Sequence, residues 1–263
     1  MSALLNYKLQ GKGPTVVLLH GLFGSLDNLG LLARDLSVDH QVLSLDLRNH
    51  GLSFHSHQHD YQLMAQDVKT VLDHLGLPQV TLIGHSMGGK VAIQLASLLG
   101  NRVETLVVLD MAPVAYTESR HDRVFAGLEA VSQQKPSSRA AAMETLSKHI
   151  ELEGVRQFLG KSMTRQDNAI TWRFNVEALK ANYANILGWQ PVALISAPTL
   201  FIKGSDSDYL TEAHQKAVQC QFNDVKAHVI ANTGHWLHAE KPNDVLRVTR
   251  RFLSQRRVSH PSN

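Results

Sequence analysis

The stretch Val80–Leu99, VTLIGHSMGGKVAIQLASLL, decides the fold. Its first residues, Val80–Gly84, form a nearly continuous apolar run, which is typical of a strand buried on both faces of a parallel sheet. From Gly89 onward, apolar residues recur at helical spacing. Between these two parts, Gly84-His85-Ser86-Met87-Gly88 matches G-x-S-x-G, a sharp turn from strand to helix that exposes a serine. The stretch therefore predicts a strand, a turn and a helix that together present Ser86.

Other apolar runs of strand length occur on both sides of this unit. They are Thr15–His20, Gln41–Leu47, Val103–Leu109, Thr199–Lys203 and Ala227–Ala231. Segments with helical spacing separate them, at Asn28–Leu36, Leu63–Leu75, His214–Val218 and Asp244–Leu253. Strands that alternate with helices predict an α/β protein with a mostly parallel sheet covered on both faces. We expect eight strands in this sheet.

The alternation stops in the segment 113–195, where the spacing of apolar residues predicts helices throughout and no buried strand. Residues 135–138, Lys-Pro-Ser-Ser, predict a turn between two of these helices, the second beginning at the serines. The strand pattern resumes after Pro198. The sequence therefore predicts a core formed by residues 1–112 and 196–263, interrupted by a helical insertion at 113–195.

A serine hydroxyl becomes a good nucleophile when a neighbouring base takes its proton. In proteins with this serine turn, the base is a histidine late in the chain, in a loop after the last strand. His235, in Asn232–Trp236, follows the last predicted strand and directly follows a loop glycine. We therefore predict His235 as the base, with His238 as the alternative.

A carboxylate must hold the imidazole in the correct tautomer. Its usual place is three residues after Gly204, the glycine that follows the predicted strand Thr199–Lys203. The chain has Ser207 at this position. The other known place is the end of the preceding strand, where Asp110 follows Val103–Leu109, at the sheet edge where α/β sites lie. We predict Asp110 as the acid, with Asp208 as the alternative. Ser207 is expected to hydrogen-bond in the same network.

Two N–H groups are needed to stabilise the oxyanion that forms when a serine attacks a carbonyl. One belongs to Met87, the residue after the nucleophile. The other is expected in His20–Gly24, which follows an early strand, and we assign it to Leu22.

Four histidines, His50, His55, His57 and His59, crowd one segment of the chain. Imidazoles bind Zn²⁺ and Ni²⁺, but acidic or cysteine partners at ligand spacing are lacking nearby. We therefore predict an exposed, histidine-rich loop and no metal site.

Composition restricts the partners and the location of the protein. The formal charge is +3, with 26 basic and 23 acidic residues, too mild a balance to indicate nucleic-acid binding. The single cysteine, Cys220, rules out a disulfide within the chain and fits a reducing compartment. The sequence has neither a membrane-spanning apolar run nor a signal-peptide pattern. We expect a cytoplasmic protein that acts on a small molecule, without a metal or organic cofactor and without stable membrane insertion.

Five stretches carry a family resemblance across nearly the whole chain. They are His20–Ser25, Asp46–Ser53, Gly84–Lys90, Leu109–Pro113 and Gly234–His238. The chain resembles the α/β-hydrolase-fold esterases, and among them the bacterial YbfF-type esterases. The more specific mark is the acid at Asp110 with Ser207 in the usual acid position. The resemblance implies that the inserted helices form a cap over the site, and that the substrates are acyl esters or acyl thioesters such as acyl-CoA.

Two alternatives to a serine esterase or thioesterase remain at this point. The same fold and residues could support carbon–carbon bond hydrolysis or a lyase reaction, with the Ser-His-Asp set acting as a base. A protein of this fold could also bind a ligand without catalysis, although such proteins usually lack part of that set. Dehalogenases and epoxide hydrolases use an aspartate nucleophile, so Ser86 argues against both.

Overall fold

The computed structural model describes residues 3–258, and nine strands lie within them. They are β1 (Tyr7–Gln10), β2 (Thr15–Leu19), β3 (Gln41–Leu45), β4 (Val80–His85), β5 (Val103–Leu109), β6 (Met163–Gln166), β7 (Ala169–Trp172), β8 (Thr199–Gly204) and β9 (Val225–Ile230). Seven of these strands form one sheet in the order β1-β3-β2-β4-β5-β8-β9. β1 is antiparallel to β3, and the other neighbours in this sheet are parallel. The mostly parallel sheet is therefore confirmed.

Eleven α-helices connect and cover the strands in the same part of the chain. They are α1 (Gly30–Leu36), α2 (Tyr61–His74), α3 (Met87–Leu99), α4 (Asp122–Gln134), α5 (Arg139–Ser147), α6 (Glu153–Gly160), α7 (Val176–Ala181), α8 (Tyr183–Leu187), α9 (Gln215–Gln221), α10 (Leu237–Glu240) and α11 (Pro242–Val258). Each strand and helix predicted outside the insertion is present. Among residues 3–258, no helix combines the length and apolar character needed to cross a bilayer.

The two faces of the large sheet carry separate apolar cores. On one face, α2 and α3 pack on the sheet, and this core continues into the helices of residues 113–195. On the other face, α1 and α11 cover the strands. The central strands, such as β2 and β4, are buried along their whole length, which explains their continuous apolar sequence.

The prediction of eight strands is wrong by one for the part of the chain that the structure describes. Residues 3–14, ahead of β2, supply a single strand, β1, which lies at the edge of the sheet. Its side chains are half-buried or exposed, so its sequence, Tyr-Lys-Leu-Gln, lacks the apolar run that marks a buried strand.

The prediction that residues 113–195 are helical throughout is also wrong, because β6 and β7 form a hairpin there. Asp167 and Asn168 connect the two strands, and both have positive φ angles, 48° and 61°. Tight hairpin turns require such angles, and aspartate and asparagine tolerate them better than most residues. The strands have only four residues each, and β6, Met-Thr-Arg-Gln, is mostly polar, so neither strand forms the long apolar run of a buried strand.

The predicted turn at residues 135–138 is confirmed. Helix α4 ends before Lys135, which adopts a left-handed conformation with φ 48°. The hydroxyl of Ser138 then caps α5 by accepting a hydrogen bond from the N–H of Ala141.

Candidate active site

The turn at Ser86 joins β4 to α3 and has the backbone strain expected of a nucleophile elbow. Ser86 has φ 54° and ψ −122°, a conformation that non-glycine residues rarely adopt. Its N–H donates to Leu109 O of the neighbouring strand at 3.1 Å, which anchors the turn. Strained backbone of this kind concentrates at functional sites, and here it holds the serine side chain clear of the strand and the helix.

The two glycines of the motif are needed because the backbone packs tightly around the turn. A Cβ atom on Gly84 would lie 2.1 Å from Gly88 O, and one on Gly88 would lie 2.3 Å from Leu19 O. Both contacts are with backbone atoms, which cannot rotate away as the end of a side chain can.

We therefore expect Gly88→Ala to lower the free energy of unfolding by about 3 kcal/mol or more, because the added methyl group forces β2 and α3 apart. The matched control is Gly30→Ala, where an added Cβ meets no atom within 4 Å. Urea unfolding of both variants measures the difference. Equal stability of the two variants would show that the turn is not as tightly packed as described.

The structure brings Ser86, His235 and Asp110 together in one hydrogen-bonded row. His235 Nε2 lies 2.9 Å from Ser86 Oγ, and His235 Nδ1 lies 2.7 Å from Asp110 Oδ2. The carboxylate accepts from Nδ1–H, which leaves Nε2 free to accept the proton of the serine hydroxyl. This geometry can activate Ser86 as a nucleophile.

Asp110 is completely buried, and its carboxylate is surrounded by donors. Oδ1 accepts from the N–H of Gly204 at 3.1 Å, while Oδ2 accepts from the hydroxyl of Ser207 as well as from His235. Ser207 thus occupies the place that the sequence analysis expected. These hydrogen bonds fix the carboxylate in the orientation that it needs to hold the imidazole.

The two alternative residues lie elsewhere. The Asp208 carboxylate is mostly exposed and pairs with Arg120. His238 is buried with its ring centroid 4.2 Å from that of His85, and burial lowers the pKa of His238 to about 3. Neither residue takes part in the row of hydrogen bonds at Ser86.

Three residues that the sequence analysis did not identify hold His235 in place. His85 Nε2 lies 2.9 Å from His235 O, at hydrogen-bond distance. The Tyr209 ring stacks on the His235 imidazole with centroids 4.0 Å apart, and the guanidinium of Arg120 lies 4.4 Å from the centroid of the Tyr209 ring. No short motif marks these contacts, because they join four separate parts of the chain.

The loop after β2 is fixed by two buried imidazoles. His20 Nε2 accepts from the N–H of Leu47 at 3.0 Å, and His50 Nε2 accepts from the N–H of Phe23 at 3.2 Å. An imidazole accepts only when it is neutral, and burial lowers the pKa of both histidines. The loop is thereby held beside Ser86 with Phe23 in a strained conformation, φ 63°.

The predicted exposure of the histidine-rich segment is therefore only half correct. His55 and His57 are exposed, but His50 and His59 are buried. His50 is buried because it bonds the loop that carries Phe23, and the ring of His59 packs against His50 with centroids 5.7 Å apart.

Two cavities meet at Ser86. The larger, about 230 Å³, is lined by His235 and by apolar residues of the segment 113–195, including Val124, Val155 and Phe158. The smaller, about 30 Å³, is lined by Met87, Tyr61, Ile186 and Leu187, and Leu22 borders both cavities. Met87 is the first residue of α3, so its N–H has no acceptor within the helix. The two predicted oxyanion donors thus border the space in front of the serine.

Comparisons with known proteins agree with this architecture. Residues 14–242 match the family profile described as alpha/beta hydrolase fold. Esterase YbfF of Escherichia coli strain K12 is 46% identical over 245 residues, which cover 93% of this chain and 95% of that protein. The sn-1-specific diacylglycerol lipase of Mus musculus is 36% identical over 92% of this chain and 81% of its own. A solved structure of a marine microorganism esterase superposes with a TM-score of 0.92, at 33% identity, over 95% of this chain and all of that one.

The fold and the serine turn define a hydrolase built on a parallel sheet, and the chain belongs to the α/β-hydrolase fold family. The relatives named above are esterases and a lipase. The chain is accordingly an ester hydrolase.

Proposed function

We propose that the protein cleaves acyl esters and acyl thioesters through an acyl-enzyme on Ser86. The observation that carries this proposal is the continuous row from Ser86 Oγ through His235 to Asp110, at distances of 2.9 and 2.7 Å. In the first step His235 takes the hydroxyl proton while Ser86 Oγ attacks the acyl carbonyl carbon. Asp110 keeps the imidazole in the reactive tautomer and stabilises its protonated form.

The N–H groups of Leu22 and Met87 stabilise the oxyanion of the tetrahedral intermediate, the role of preorganised donors in acyl transfer. The protonated His235 then gives its proton to the leaving alcohol or thiol, and the bond from the carbonyl carbon to that group breaks. A water molecule, activated by the same imidazole, hydrolyses the acyl-enzyme and restores Ser86. Every step uses groups of this chain and water.

The two cavities suggest how a substrate lies across Ser86. The leaving group must depart toward the acid that protonates it, and His235 lines the larger cavity. We therefore assign the alcohol or thiol part to the larger cavity and the acyl chain to the smaller, apolar one. This assignment favours short acyl groups on bulky leaving groups.

Residues 113–195 act as a cap in this proposal. Helices α4 and α6 of this segment supply Val124, Val155 and Phe158 to the wall of the larger cavity. A wall of this kind excludes water and selects the leaving group without taking part in the chemistry. A cytoplasmic location and the absence of a cofactor belong to the same proposal and rest on the sequence.

The test is a substrate panel in two series. One series varies the acyl chain from acetyl to octanoyl on p-nitrophenol. The other keeps an acetyl group and varies the size of the alcohol or thiol, including a thioester. We expect kcat/KM to fall with acyl length and to tolerate bulky leaving groups. Turnover that rises with acyl length in the first series would contradict the assignment of the two cavities.

Val155→Trp is expected to reduce kcat/KM for bulky leaving groups about tenfold relative to small ones, because the indole fills part of the larger cavity. The order of preference among acyl chains should stay unchanged. Ala140→Trp adds the same ring to an exposed position of the insertion and serves as the control. The two substrate series measure both effects, and identical selectivity in the two variants would show that this wall does not contact the leaving group.

A further inference from the structure

Lys90 is a buried lysine one helical turn beyond Ser86, on α3. Its side chain has no exposed surface, which is rare for an amine that costs energy to remove from water. The mechanism proposed above does not use it.

The Lys90 amine donates to the backbone at the end of α8. Nζ lies 3.2 Å from Leu187 O and 3.0 Å from Gly188 O. The last carbonyl groups of a helix lack partners within the helix, and a lysine near this end can satisfy them. Lys90 thus links the helix that follows the nucleophile to the last helix of the insertion.

Three aromatic rings enclose the same amine. The centroids of Tyr116, Tyr61 and Trp189 lie 4.8, 5.4 and 5.9 Å from Nζ. Aromatic faces attract a cation, but they do not replace water fully, and burial lowers the pKa of Lys90 to about 7. The amine retains N–H donors in both protonation states, so the link to α8 does not depend on the charge.

The neighbours of Lys90 hold the same short segment. The hydroxyl of Tyr61 donates to Ile186 O at 2.6 Å, and the N–H of Tyr116 donates to Leu187 O at 2.9 Å. Lys90 donates to the carbonyls of Leu187 and Gly188, so the three successive carbonyls of residues 186–188 are all hydrogen-bonded to the core of the protein.

The fixed segment is also a wall of the smaller cavity. Ile186 and Leu187 line this cavity together with Ser86 and Tyr61. A wall whose backbone is bonded at three successive residues cannot move to admit a longer chain. Lys90 lies behind this wall and does not line the cavity itself.

We propose that Lys90 is a positioning residue that sets acyl-chain selectivity by fixing the Ile186–Gly188 wall. The inference rests on the proposed function, because it takes the smaller cavity as the place of the acyl chain. Lys90 contacts neither the reacting atoms nor the acyl group, and acts through the backbone of the insertion.

The test compares Lys90→Met with Lys69→Met in the acyl series. Methionine is unbranched and one atom shorter than lysine, so it keeps most of the side chain and removes the donors, whereas Lys69 lies on the surface of α2 and pairs with Asp73. We expect the ratio of kcat/KM for hexanoyl over acetyl p-nitrophenyl ester to rise about fivefold or more in Lys90→Met and to stay within about twofold in Lys69→Met. Amide hydrogen exchange of residues 183–190 should become faster in Lys90→Met alone.

Lys90→Gln keeps an N–H donor without a charge and should give a smaller shift in the same direction. If Lys90→Met does not fold, Lys90→Gln takes its place in the comparison with Lys69→Met. Labelling of each protein with a fluorophosphonate separates the two proposals. A folded Lys90 variant that labels on Ser86 and keeps the wild-type acyl ratio overturns the role of Lys90 alone. A wild-type protein that turns over esters without labelling overturns the proposed function, and this inference with it.

Discussion

Ser86→Ala is expected to lower kcat/KM for ester hydrolysis by about 10³–10⁶-fold while the protein stays folded. The loss is this large because the alanine variant has no atom in the place of Ser86 Oγ, 2.9 Å from His235 Nε2, so the acyl-enzyme cannot form. The proposed oxyanion donors and the cavities remain in this variant, and we expect them to supply its residual activity.

The control for this variant is Ser37→Ala, at the end of α1, where the hydroxyl donates to the nearby carbonyl of Arg34. Initial rates on a p-nitrophenyl ester and thermal unfolding should be measured for both variants. A Ser86→Ala protein that retains a tenth of the wild-type rate would refute the assignment of the nucleophile.

Asp110→Asn is expected to lower kcat by about 10⁴-fold without loss of the fold. The Asp110 carboxylate accepts from His235 Nδ1 at 2.7 Å, and an amide at this position can instead donate to Nδ1 and place the proton on Nε2. The imidazole then cannot accept the proton of Ser86. Ser207→Ala should have a smaller effect, because it removes one hydrogen bond to the Asp110 carboxylate and leaves the other two.

Asp208→Asn is the matched control for Asp110→Asn, because it makes the same chemical change at the residue directly after Ser207, outside the row of hydrogen bonds at Ser86. The Asp208 carboxylate is 72% exposed and pairs with Arg120, so its loss should change kcat by no more than a few fold. Steady-state kinetics on one ester rank the variants. The reverse ranking, with Asp208→Asn nearly inactive and Asp110→Asn close to wild type, would place the acid in the loop after β8.

The central part of the fold could be predicted from the sequence because buried parallel strands need apolar residues at every position. β4 and β5 show this pattern over most of their length, with the exposed Glu104 near the start of β5 as an exception, and the serine motif between β4 and α3 adds a geometric requirement that few residues satisfy. The position of Asp110 also followed from the end of a strand, since side chains at the ends of neighbouring parallel strands meet at one sheet edge.

Other elements could not be predicted because nothing in the local sequence demands them. β1 is an edge strand with exposed side chains, and the β6–β7 hairpin depends on the two turn residues Asp167 and Asn168. Asp-Asn is a usable hairpin signal, but the strands beside it have only four residues each, too few to show a clear strand pattern.

The contacts around the site depend on tertiary structure alone. His50 reaches the loop of Phe23 across 27 residues, and Lys90 reaches Leu187 across 97. In the sequence, His50 belongs to a histidine-rich segment and Lys90 to an amphipathic helix, and both resemble surface residues. Only the packing of the chain shows that they are buried and bonded to backbone at the site.

The most direct test of the account is to label the nucleophile covalently and locate the adduct. Wild type and Ser86→Ala are incubated with a fluorophosphonate, digested, and analysed by mass spectrometry, with loss of esterase activity followed in parallel. We predict one covalent adduct per inactivated molecule, on Ser86, and no adduct in the alanine variant. An adduct on another residue that accompanies inactivation, or steady ester turnover by wild type with no adduct, would contradict Ser86 as the nucleophile.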